Sequence, residues 1–121
     1  MDERRYLELA EAALSRVVRA FDDVELTDAD VDSVGDVVTI TLERGSGGKI
    51  VINTQRPARQ LWLAGGNRAW HFSLEESTGR WMDDKGSGDE LFDTVRELCA
   101  RGGVALTLGG AAAGTARGEG A

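Results

Sequence analysis

The chain has one cysteine, one histidine and no apolar run near the roughly 20 residues that a membrane-spanning helix requires. With Cys99 alone, no intramolecular disulfide can form, and such sparing use of cysteine fits a reducing cytosol. With His71 alone, the three-histidine and two-histidine-one-carboxylate centres of zinc and nonhaem iron enzymes cannot be built within one chain. A phosphate-binding loop is missing too. Gly45-Ser46-Gly47-Gly48 is followed by Lys49 but then by a strand pattern, where such a loop requires a helix, so a hairpin turn is expected instead. Cys99 falls on an apolar helical stripe with no activating base evident, and burial is expected of it rather than chemistry. The opening residues, Met1-Asp2-Glu3-Arg4-Arg5, enter a helical pattern without the apolar stretch of a secretion signal. A cytoplasmic protein that is not an enzyme is the expectation.

Basic residues are absent from one stretch. From Asp22 to Asp36, seven of fifteen residues are acidic and none is basic. Residues 1–36 hold eleven acids and four arginines, whereas residues 37–121 hold ten of each sign, so the formal charge of -7 belongs to one local region. This asymmetry points to a cationic partner, a metal ion or a basic protein surface, and argues against nucleic acid, whose phosphates would be repelled. Asp28, Asp30 and Asp32 alternate with Ala29 and Val31, so in an extended segment their carboxylates project to one side. Hard oxygen ligands of this kind suit Fe, Mn, Mg or Ca ions. The segment is not an EF-hand loop: counted from Asp28, Ser33 stands where glycine is required, Thr39 where glutamate is required, and a strand follows. The residues alone leave open a solvated acidic face that only maintains solubility.

The 121 residues, 41% of them hydrophobic, allow one domain with a core. Tyr6, Ala10, Ala13, Leu14, Val17 and Phe21 recur at the spacing of one helical face. The period then changes. Val37 to Glu43 reads as a half-buried strand with Val38, Ile40 and Leu42 inward, and Lys49 to Asn53 completes a hairpin. Strand patterns follow at Gln60 to Ala64, Arg68 to Leu74 and Gly79 to Met82. A second helical pattern starts at Asp89, with Ser87 as the expected N-cap and Gly102-Gly103 as the stop. The expected architecture is α+β: a two-layer sandwich with two helices on one face of a five- to six-stranded antiparallel sheet. A domain over 1–108 and a flexible Gly/Ala-rich tail over 109–121 complete the plan. If the helices cover one face, strand alternation displays Asn53, Gln60, Trp62 and His71 on the open one, where Trp62 among amides is a candidate contact residue.

The segment Ile52-Asn53-Thr54-Gln55-Arg56-Pro57-Ala58-Arg59-Gln60-Leu61-Trp62-Leu63-Ala64 closely resembles the signature of the frataxin family, especially its bacterial type. Trp70-His71-Phe72 resembles the family's aromatic-His-Phe strand, Trp81 with Asp83 and Gly86 resembles the next segment, and Leu91-Phe92 falls in its second helix. The resemblance runs from residue 6 to about 108. It implies weak, surface-exposed binding of ferrous and ferric iron, with other divalent cations possible, on a ridge of Asp22, Asp23, Glu25, Asp28, Asp30 and Asp32. It also implies regulation of iron-sulfur cluster assembly through a cysteine desulfurase and a scaffold protein. The implied partner residues are Asp22, Asp23 and Glu25 on the ridge, and Asn53, Gln55, Gln60 and Trp62 on the sheet. The expected protein is then a bacterial cytoplasmic monomer that binds neither membrane nor nucleic acid. Val18 and Arg19 stand where family members often carry further acids, which thins the ridge on its helical side. The alternative is a ferroxidase or iron-storage protein, although exposed carboxylates lack the enclosed di-iron site of ferritin-like helices. A haem-handling role through His71 or Cys99 draws little support from the sequence.

Overall fold

Asp2 opens the first helix, its Oδ1 accepting the Arg5 N–H at 2.8 Å, and α1 runs Glu3–Arg19 with Glu3 in its first turn and Arg16 and Arg19 in its last. Both charge placements suit the helix dipole. Six strands follow in the computed structural model: β1 Ala29–Val34, β2 Val37–Leu42, β3 Gly48–Gln55, β4 Gln60–Gly65, β5 Arg68–Glu75 and β6 Arg80–Asp83. The second helix, α2, spans Leu91–Arg101. The structure describes residues 1–43 and 48–108. Most of the expected Gly45 to Gly48 turn, and the expected tail from Gly109, lie outside the described residues. No described helix is long and apolar enough to cross a membrane.

The sheet is an antiparallel meander in the order β1-β2-β3-β4-β5-β6. Its hairpins set its register. Gly66 and Asn67 both take positive φ, 59° and 65°, in the two-residue turn that joins β4 to β5. That backbone twist matches the right-handed twist of the strands. It pairs Trp62 with His71 and Leu63 with Trp70.

One sheet face is packed. Val38, Ile40, Leu42, Ile50, Ile52, Leu61, Leu63, Trp70, Phe72 and Trp81 are buried together with Tyr6, Ala10, Ala13, Leu14 and Val17 of α1 and Leu91, Val95, Leu98 and Cys99 of α2. Each large aliphatic buried this way contributes about 1.5–3 kcal/mol. Tyr6 ties the layers together: fully buried, its hydroxyl donates to the Gln60 carbonyl at 2.7 Å and accepts the Gln55 N–H at 3.2 Å. Arg16 of α1 lies over the ring of Phe92 in α2, 4.6 Å from its centroid.

One feature departs from expectation. Glu90, not Ser87, caps α2: its carboxylate accepts the Asp93 N–H at 2.9 Å, while the Ser87 hydroxyl accepts the Asp89 N–H at 3.1 Å. The helix cannot begin at Asp89, because Gly88 has φ +87°, the Asp89 carbonyl accepts the Asp83 N–H and Glu90 bridges to Met82, all of which hold this segment extended against β6. Beyond α2, residues 104–108 form a run outside helix and strand in which Val104, Leu106 and Leu108 are buried. Arg96 anchors the run by donating to the Leu108 carbonyl at 2.9 Å.

Candidate functional site

Every residue of the other sheet face keeps some exposure. Paired residues of neighbouring strands point the same way, so the register lists that face row by row. One row reads Val34, Val37, Asn53, Trp62 and His71 from β1 to β5. The adjacent row reads Asp32, Thr39, Val51, Ala64 and Ala69. Asp30 and Asp32 therefore share the open face with Trp62, at its β1 edge.

Trp62 is half-buried by a stack with His71, ring centroids 4.1 Å apart and planes 16° from parallel. Its indole Nε1 donates to Gln60 Oε1 at 2.8 Å. Gln60 Nε2 in turn donates to Ser73 Oγ at 3.0 Å and to Asp84 Oδ2 at 2.9 Å, and Asp84 Oδ2 lies 3.9 Å from His71 Nδ1. Gln60 was expected as a contact residue of the open face. Its amide is engaged at both ends, and its oxygen holds the indole. Asn53 beside Trp62 donates from Nδ2 to the Thr54 carbonyl at 2.9 Å, and Gln55, also half-buried, pairs across the ladder with Gln60.

The acidic run divides by position. Asp22, Asp23 and Glu25 are exposed in the turns that follow α1, where the Asp22 N–H reaches the Arg19 carbonyl at 3.1 Å and the Glu25 carbonyl accepts from Asp28 and Ala29. Asp30 and Asp32 are exposed on edge strand β1. Asp28 is half-buried just before that strand and is tied to the sheet where its carbonyl accepts the Glu43 N–H at 3.0 Å. Asp36 belongs to the run in sequence only: it sits in the β1–β2 turn, where its carboxylate accepts the Thr54 hydroxyl. Among the described residues, no three histidine, cysteine, aspartate or glutamate side chains form a group able to hold a metal ion. Any cation here would meet separate carboxylates and their summed field.

Several exposed residues escaped the sequence reading. Leu26, 74% exposed, lies among the ridge acids, and Val34 and Val37, 69% and 36% exposed, extend the Trp62 row toward β1. The signal for the two valines was the Gly35-Asp36 turn, which pairs them. Cys99 is fully buried, and burial pushes its thiol up to about 12.

Two helices on one face of a six-stranded meander, an acidic edge strand and an open face built around a tryptophan define a frataxin-like sandwich. A family model described as the frataxin-like domain matches residues 1–102. The chain belongs to the frataxin family. It is 42% identical over 113 residues to a protein of Ralstonia nicotianae, covering 89% of this chain and 95% of that one. It is 38% identical over 91 residues to one from Pseudomonas aeruginosa, covering 75% and 81%. Both relatives carry the name iron-sulfur cluster assembly protein CyaY. A solved frataxin from Psychromonas ingrahamii superposes with a TM-score of 0.69 at 28% identity, covering 80% of this chain and 87% of that structure.

Proposed function

We propose that this protein serves iron-sulfur cluster assembly, as its relatives' name says of them, and that it does so as a bacterial cytoplasmic regulator rather than an enzyme. The exposed turn acids Asp22, Asp23 and Glu25 engage a basic surface of a cysteine desulfurase. The open sheet face, centred on Trp62 and Asn53, receives the scaffold protein. Iron is cargo in this reading. It is held weakly and with little selectivity by the same acids, so iron and desulfurase compete for one ridge.

The observation that carries the reading is the shared face of Asp30, Asp32 and Trp62, with Asp22, Asp23 and Glu25 exposed in the turns leading into β1. An acidic border beside a half-exposed aromatic platform offers an electrostatic footprint for approach and an apolar anchor for the contact. The test is a pull-down with the desulfurase at low and moderate salt, using the native chain and a variant with Asp22, Asp23 and Glu25 replaced by lysine. Salt-sensitive capture that the triple variant loses is the expected result. Equal capture of both proteins at either salt concentration overturns the ridge assignment.

A further inference from the structure

We propose that the corner of the open face beside Trp62 is a receptor for a protein segment that presents an aliphatic side chain next to a carboxylate. The proposal deepens the scaffold-protein reading of this face and rests on it. Its basis is relief on an otherwise flat sheet. Val51, Ala64 and Ala69 pair in register, forming a row of short side chains beside the taller row of Asn53, Trp62 and the stacked His71. On the side of the short row away from Trp62, toward the β4–β5 turn, lies a shallow depression of about 690 Å³ lined by Lys49, Val51, Ala64, Asn67, Arg68 and Ala69 among others.

The floor is methyl groups, and Ala64 and Ala69 are exposed. An aliphatic side chain laid there would cover them and pack against the edge of Trp62, whose N–H is already taken by Gln60 and so asks nothing of the partner. The rim is cationic. Lys49 is exposed and has no ion pair among the described residues, whereas Arg68, which also lines the depression, has its guanidinium engaged 4.4 Å over the ring of Trp70 and 3.7 Å from Asp89. Lys49 is therefore the lining cation with no competing partner for a carboxylate.

Charge then fixes direction. Lys49 is followed across the ladder by Thr41 and Asp30, so the face is positive at the β3 corner and negative at the β1 edge. A segment with a carboxylate is attracted at one end and repelled at the other, which allows one orientation. A nucleic acid strand would meet the same repulsion from Asp30 and Asp32, and a small free anion would leave the apolar floor uncovered.

Calorimetric titration of the cognate scaffold protein into the native chain and into Trp62→Ala, Ala64→Trp, Lys49→Glu and Lys49→Arg variants tests this. Ala64→Trp fills the depression and is expected to weaken binding by about tenfold or more. Lys49→Glu is expected to weaken it by about fivefold, with Lys49→Arg within about twofold of the native chain. Lys49 is exposed on the face away from the packed core, so its variants fold whether or not Ala64→Trp does. If Trp62→Ala abolishes binding while Ala64→Trp and Lys49→Glu bind as the native chain does, the corner proposal is overturned and the open-face reading stands. If Ala64→Trp weakens binding and Lys49→Glu does not, the carboxylate is overturned. If the native chain does not bind the scaffold protein, the open-face reading fails and takes the corner with it.

Discussion

The indole of Trp62 lies flat against the imidazole of His71 on the neighbouring strand, their centroids 4.1 Å apart. The two rings close a circuit with Gln60 and Asp84, because Gln60 holds the indole N–H and the Asp84 carboxylate that faces His71. A side chain placed by a stack and a hydrogen bond has lost most of its rotamer freedom before any partner arrives. Binding through it costs less ordering entropy, by about 0.5–1.5 kcal/mol per immobilised side chain.

The Gln60→Ala variant should therefore weaken scaffold-protein binding although Gln60 itself need touch no partner. The expected loss is about 1 kcal/mol, or roughly fivefold. Fluorescence of Trp62, read in a variant that retains only this tryptophan, should broaden and shift as the indole gains rotamers. Unchanged affinity together with an unchanged spectrum would show that the clamp has no role.

Glu90 gives a prediction about pH. Burial pushes its carboxyl up from the ordinary value, and the backbone N–H groups of Asp93 and Phe92 only partly offset this. The folded state thus holds the proton more tightly than the unfolded state does. The contribution of Glu90 to stability is present below the unfolded value, about pH 4.3, and is lost as pH rises through the folded value. Glu90→Gln keeps an oxygen to cap α2 and carries no charge. In urea unfolding it should be more stable than the native chain at pH 7, with the difference shrinking toward pH 4. A difference constant over that range would contradict the burial argument.

Cys99 should be inert in the folded protein. It is fully buried, and its thiol is pushed up to about 12, so the reactive thiolate is scarce at pH 8 and shielded by the core. A chromogenic disulfide reagent should titrate it only after denaturant is added. Rapid stoichiometric reaction of the native chain would show that α2 does not pack as described.

Much of this was legible in the sequence, for identifiable reasons. The strands announced themselves because one face is packed and the other is not, which forces the alternation seen in Val38, Ile40 and Leu42 and again in Leu61 and Leu63. The start of α2 was misread because Ser87 is a good cap by type. What moves the helix start to Leu91 is a bridge from Glu90 to Met82, a tertiary contact with no local signature. The Trp62–His71 stack was within reach of the sequence, since a two-residue Gly66-Asn67 turn sets that pairing. The bonds of Gln60 were not, because they depend on side-chain reach across β5 to Asp84. The ridge read from the acidic run left out Asp36, and Asp36 proved to be a structural partner of Thr54.

The dual use of the ridge is the central claim, and backbone amide NMR tests it most directly. Ferrous iron is titrated into the isotope-labelled chain at low salt under anaerobic conditions, and the desulfurase is then added to the iron-loaded sample. Iron should broaden the amides of residues 22–32 with weak, nonselective affinity, and the desulfurase should perturb the same residues while reducing the iron effect. Perturbation by the desulfurase confined to other residues, with iron broadening undiminished, would contradict the shared ridge.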